Sequence, residues 1–263
     1  MRIAVFTKYV PDAAEERTFT ADKTVDRDTD GLLSELDEYP LEEALTIAEA
    51  HGKDAEVIAI TVGPKQAVAA VKKSLQIGAK RGVHVLDDRI SGSCVLSTSR
   101  VLAAVVEKLH AEAPLDLVLT GLASTDGVTS AVPVQVAERL GWPAATVASS
   151  VEVADGKVRI RRDGDTSSQF IEAELPAVVS VTDQINEPRY PSFRGIMAAK
   201  RKPLDTWSLD DLGVSGDEVG QAAASTVVQS ITERPPRTAG EIVHDEGDGG
   251  RRLVEYLAAQ KLV

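Results

Sequence analysis

Two stretches of the chain carry residue types in a spacing that could do chemistry. The first is Gly121-Leu122-Ala123-Ser124-Thr125-Asp126-Gly127-Val128-Thr129-Ser130, which leads through Ala131 into Val132. Small residues let backbone N–H groups approach a phosphate, and a following helix N-terminus favours an anion. Hydroxyls from Thr125, Thr129 and Ser130 would add donors. The spacing leaves two readings open: a phosphate-binding loop, or an ordinary strand-to-helix loop with Ser/Thr capping. The run lacks the dinucleotide pattern Gly-x-Gly-x-x-Gly, so a mononucleotide suits it better than a dinucleotide. The second stretch is Arg189-Tyr190-Pro191-Ser192-Phe193-Arg194-Gly195-Ile196-Met197, followed by Lys200-Arg201-Lys202. It sets aromatic and apolar side chains beside cations in an acidic chain. That pattern reads either as a solvated loop or as an apolar anchor steered onto acidic partners.

A catalytic centre is harder to find. His51, His84, His110 and His244 are scattered, and His51 and His110 fall at expected helix ends, where a cation suits the dipole. Neither a Gly-x-Ser-x-Gly elbow, a His-Glu-x-x-His pair nor a Walker A loop occurs. The single cysteine, Cys94, precludes an internal disulfide and a multi-cysteine metal site. It reads as a small buried residue, or as a thiol activated near a helix start. The net charge of −12 argues against non-specific nucleic-acid binding. No run of 18 apolar residues occurs and no signal-peptide pattern opens the chain, so a cytoplasmic protein is expected.

The elements that must position these stretches follow from periodicity. Apolar runs at 3–10, 56–62, 82–86 and 115–120 read as buried strands, the first continuing to Val10. Between them, Val68, Val71 and Leu75, then Leu102, Val105 and Leu109, then Val132, Val136 and Leu140 mark helices. Pro40-Leu41-Glu42-Glu43 opens another. This alternation predicts an α/β, Rossmann-like, doubly wound, mainly parallel sheet. Residues 11–37 read as one long loop. Val151–Val153, Asp155-Gly156 and Val158–Ile160 predict an antiparallel hairpin extending the sheet, with strands at 168–173 and 177–182. The expected organisation is a nucleotide-binding domain over 1–202 and, over 203–263, an extended C-terminal arm closing in a short amphipathic helix.

Several pieces, in order and along nearly the whole chain, resemble the electron transfer flavoprotein β-subunit family. They are Lys8-x-Val10-Pro11-Asp12, Asp37-Glu38-Tyr39-Pro40-Leu41-Glu42-Glu43-Ala44, Val62-Gly63-Pro64, and Gly78-Ala79-Lys80-Arg81-Gly82. Further along come Asp116-Leu117-Val118-Leu119 with Gly121 and Asp126, Ala137-Glu138-Arg139-Leu140-Gly141-Trp142-Pro143, Asn186-Glu187-Pro188-Arg189-Tyr190-Pro191, and Pro235-Pro236-Arg237-Thr238-Ala239-Gly240. The Asn-Glu-Pro-Arg-Tyr run is the most specific of them.

The resemblance implies a heterodimer with an α subunit and no catalytic residues of the chain's own. It implies FAD held mainly on α, and a structural AMP in this subunit. It places the AMP against Phe6, Ser34, Glu35, Leu36, Asp37, Val62 and the loop from Gly121 to Val132. It further implies flavin dehydrogenases, such as acyl-CoA dehydrogenases, as donors and a quinone-linked oxidoreductase as acceptor. A recognition loop over about 186–202 would dock donors through Phe193, where the family usually has Leu. Arg189, Tyr190, Arg194, Ile196, Met197, Lys200, Arg201 and Lys202 would surround that anchor. Departures are Ser34-Glu35 where the family often has Asn-Pro, Ala131-Val132-Pro133 where it often has Gln-x-Gly, and Ala13 near a position that in some members stacks an aromatic on the flavin. A bifurcating variant with a second FAD in place of AMP shares most of these motifs. A stand-alone nucleotide-binding α/β protein is the reading from another class.

Overall fold

The computed structural model describes residues 1–232, 235, 240 and 242–263. Of the run from Pro235 to Gly240, residues 236–239 therefore lie outside the described residues. Elements follow in the order β1 (Arg2–Phe6), β2 (Tyr9–Pro11), β3 (Gly31–Leu33), α1 (Glu38–Ala50), β4 (Glu56–Val62), α2 (Val68–Ile77), β5 (Arg81–Val85), α3 (Val95–Glu112), β6 (Leu117–Gly121) and α4 (Val132–Leu140). Then come β7 (Ala144–Ala148), β8 (Ser150–Ala154), β9 (Lys157–Asp163), β10 (Ser168–Glu174), β11 (Ala177–Val181), α5 (Phe193–Ala199), β12 (Leu204–Trp207) and α6 (Gly249–Ala259).

Seven strands form one sheet in the order β12-β5-β4-β1-β6-β11-β7, and every neighbouring pair in it is parallel. Parallel strands covered on both faces need apolar residues at successive positions, which the runs in β1, β4 and β6 supply. In β1, Ile3 and Val5 face one core with α1 and α2, while Ala4 and Phe6 face the other with α3 and α4. Each Val, Leu or Ile fully withdrawn from water contributes about 1.5–3 kcal/mol. The chain runs outward from β1 through β4 to β5, then returns to the far side of β1 as β6. The winding reverses there, so a crevice opens beyond the carboxyl ends of β1 and β6.

The structure differs from the sequence reading in four places. The first expected strand breaks at Thr7-Lys8, because the Lys8 N–H turns aside to Asp37 Oδ2. The expected loop 11–37 contains β3, which returns antiparallel against β2. The hairpin is not an extension of the main sheet: β8, β9 and β10 make a separate antiparallel sheet whose Val158 and Ile160 enter the first core. The expected arm does not begin at 203. Leu204–Trp207 adds to the edge of the sheet beside β5, and Trp207, Leu209, Val214 and Val219 are buried in the second core. The chain divides into two compact units, Met1–Val228 and Gln229–Val263. The second contains α6, on which Leu253, Val254 and Tyr256 are exposed.

Candidate functional site

The crevice at the sheet's winding reversal is a cavity of about 300 Å³. Phe6, Ile60 and Val62 supply apolar walls from the ends of β1 and β4, and Leu102 closes the side of α3. Gly121 ends β6 beside them, and a Cβ there would come within 2.5 Å of the Leu36 carbonyl oxygen. Only glycine lets β6 and the turn before α1 approach this closely.

The loop after β6 forms the polar end. Leu122, Ala123, Ser124, Gly127, Thr129, Ser130 and Val132 line the cavity. Val128 and Ser130 adopt positive φ, 48° and 53°, a conformation that non-glycine residues rarely take. No side chain caps the N-terminus of α4. The capping reading of Thr129 and Ser130 is therefore not realised. The Val132 and Val134 N–H groups of its first turn thus have no side-chain partner, and Thr129, Ser130 and Val132 line the cavity at this end, where a helix N-terminus favours an anion. Ser93, Val95 and Thr98 approach from the start of α3.

A charged frame holds this loop. The Asp126 side chain is 1% exposed and receives Lys8 Nζ at 2.8 Å and the Arg27 guanidinium. Burial pushes its carboxyl up, but Lys8 and hydrogen bonds from Lys8, Ser124 and Arg27 outweigh this and hold it well below the carboxylate range. Arg17 Nη2 donates to the Thr125 carbonyl at 2.7 Å, so with Arg27 the long loop after β2 grips the loop after β6 twice. Ser34, fully buried, accepts the Thr125 N–H at 3.3 Å.

Of the residues expected around a nucleotide, Phe6, Asp37, Val62, Gly121 to Ser124, Gly127, Thr129, Ser130 and Val132 meet at the cavity. Ser34, Leu36, Thr125 and Asp126 support its walls from behind. Glu35 and Val128 face solvent, and Ala131 lies outside the lining. Sequence reasoning missed Thr7, Lys8, Ile60, Ser93, Val95, Thr98, Leu102, Thr120 and Pro133. The signal for Thr7 and Lys8 was their place at the carboxyl end of the first strand. Cys94 sits between Ser93 and Val95 and its sulfur accepts the Ser225 N–H at 3.4 Å. Burial raises its thiol, and backbone N–H groups of Ser97, Ser225 and Leu96 bring it down to about 7.

The second segment lies on α1 and α2. Asn186 Nδ2 donates to the Tyr39 carbonyl and to Glu43, both at 3.1 Å. Arg189 grips Glu42 at 2.7 Å and Glu49 at 2.6 Å. The hydrogen bonds it donates to Glu42 and Glu49 raise its guanidinium further above its usual range. Beyond this clasp, Ser192 caps α5 by accepting the Gly195 N–H at 3.0 Å. Tyr190 is 91% exposed and Phe193 81%, and Ile196 and Met197 are exposed beside them. Arg194, Lys200 and Arg201 are exposed and make no ion pair among the described residues. Lys202 differs: its Nζ caps the end of α2 through the Leu75 carbonyl at 2.7 Å. Arg189 and Lys202, both expected at a docking surface, thus spend their charge inside the chain.

No cluster of His, Cys, Asp and Glu suited to a metal occurs among the described residues. No helix among them is long and apolar enough to cross a membrane.

A family model described as the electron transfer flavoprotein domain matches residues 22–212. The electron transfer flavoprotein subunit beta of Mycobacterium tuberculosis is 44% identical over 266 residues, covering 99% of each chain. That of Megasphaera elsdenii is 32% identical over 273 residues, covering 100% of each. The caffeyl-CoA reductase-Etf complex subunit CarD of Acetobacterium woodii is 33% identical over 244 residues, covering 92% of each.

Proposed function

The chain belongs to the electron transfer flavoprotein β-subunit family, and on that premise we propose that it is the non-catalytic half of a heterodimeric electron carrier. The observation that carries this reading is similarity to β subunits from end to end. Electrons from flavin dehydrogenases, such as acyl-CoA dehydrogenases, reach an FAD held mainly by the α subunit and leave through a quinone-linked oxidoreductase. That FAD supplies the redox chemistry when bound. This chain's tasks are to hold a nucleotide, to dock α and to present an anchor to donors.

The crevice suits AMP. Its uncapped helix N-terminus and the Thr129 and Ser130 hydroxyls match a phosphate, and Phe6, Ile60, Val62 and Leu102 match a flat apolar base. Small-molecule sites span about 300–1,000 Å³, and a cavity of about 300 Å³ is of the size a mononucleotide needs. The first compact unit carries the crevice and the docking loop. In the second, Leu253, Val254 and Tyr256 of α6 form an apolar face suited to packing on α.

Phe193 is the proposed anchor, with Ile196 and Met197 beside it and Arg194, Lys200 and Arg201 as steering charges. In the intact αβ heterodimer, Phe193→Ala is expected to weaken donor docking by roughly 2 kcal/mol, about thirtyfold. Dehydrogenase-driven flavin reduction at low heterodimer concentration measures this, and gel filtration is expected to show the αβ complex intact. An unchanged reduction rate contradicts the anchor.

A further inference from the structure

Asp37 is expected against the nucleotide, but what its carboxyl does there has not been assigned. It is 7% exposed and lines the cavity. Its Oδ2 accepts the Lys8 N–H at 2.8 Å. Its Oδ1 receives no hydrogen bond from any described residue and lies against Gly121, where a Cβ would approach it to 2.9 Å. One carboxyl oxygen is thus satisfied by the protein, and the other borders the ligand space.

The cavity is polarised. The N-terminus of α4, with Thr129 and Ser130, favours an anion, while Asp37 has a second carboxylate, Asp126, nearby. A phosphate therefore belongs at α4, and the nucleoside meets Asp37. The charged groups that act on Asp37 are Lys8 at the exit of β1 and Asp126 after β6, and Arg27 from the long loop is bound to Asp126. The Lys8 ammonium is bound to Asp126, and the cavity residues from α3 are neutral. Burial pushes the Asp37 carboxyl up to about 7; the Lys8 N–H bond and the Lys8 charge oppose this, and Asp126 adds to it.

We propose that Asp37 selects the base: its free oxygen carries a proton in the nucleotide-bound protein and donates it to an acceptor nitrogen of an adenine ring. The assignment rests on the adenylate reading above. Adenine offers ring-nitrogen acceptors, and only the protonated carboxyl can donate to them. Binding then holds while Asp37 keeps its proton and weakens as pH rises past its ionisation.

Equilibrium dialysis of labelled AMP and of labelled adenosine with the αβ heterodimer, from pH 7.0 to 9.0, tests this. The AMP phosphate, with a second pKa of about 6, stays dianionic throughout that window. Both ligands are expected to bind the wild type progressively more weakly, approaching about tenfold per pH unit once Asp37 ionises. Asp37→Asn, which keeps a neutral donor, is expected to bind AMP with a flat profile and more tightly than wild type at pH 9.0. If that variant fails to fold, the wild-type profiles decide alone. Tight, pH-independent AMP binding by wild type overturns the assignment. So does a slope for AMP without one for adenosine, which would signal repulsion of the phosphate. Absence of AMP binding at every pH overturns the adenylate reading itself, and the assignment with it.

Discussion

Arg189 shows how a residue conspicuous in the sequence can serve a different end from its surroundings. The cations from Arg189 to Lys202 read as one steering cluster. Arg189 is instead forked between Glu42 and Glu49 on α1, and Lys202 caps α2. Neither partner was legible, because pairs 140 and 147 residues apart leave no periodicity. The exposed Phe193 was legible: an aromatic among polar and charged residues outside any apolar stripe has no core to enter. Arg189→Ala is expected to lower the unfolding free energy by about 1.5–3 kcal/mol, the scale of lost hydrogen bonds to a charged group. Urea unfolding of the heterodimer measures it. Arg189→Lys is expected to recover only part of that loss, since an ammonium cannot form the fork. Equal midpoints for wild type and Arg189→Ala contradict the clasp.

At the scale of elements, strands β1, β4, β5 and β6 and helices α1 to α4 were legible, because a doubly wound sheet writes its period into the chain. The place of the loop after β6 at the cavity was legible for the same reason: it lies beyond the carboxyl end of a recognisable strand. β12 was not. Its Asp205 and Thr206 resemble loop, and its place beside β5 comes from register rather than composition. The separation of β8–β10 from the main sheet was equally hidden, since a hairpin signal says nothing about which sheet receives it. α5 owes its position to one glycine. A Cβ on Gly195 would come within 2.4 Å of the Gln76 carbonyl oxygen at the end of α2. Gly195→Ala is therefore expected to shift α5, slowing dehydrogenase-driven reduction while AMP content stays at the wild-type level. Reduction at the wild-type rate contradicts this packing account.

At the scale of the whole molecule, the sheet's reversal between β1 and β6 opens the crevice, and α1 links that crevice to the segment around Asn186 and Arg189. Asp37 lines the crevice just before α1 begins, and Glu42 and Glu43, one turn later, hold Arg189 and Asn186. The cavity and the segment proposed to dock donors are thus built on the same helix. The central claim is that this chain holds a mononucleotide while its partner holds the flavin. Acid release and chromatographic quantitation of nucleotides from the purified αβ heterodimer test it most directly. The account predicts one AMP and one FAD per heterodimer; two FAD and no AMP would contradict it.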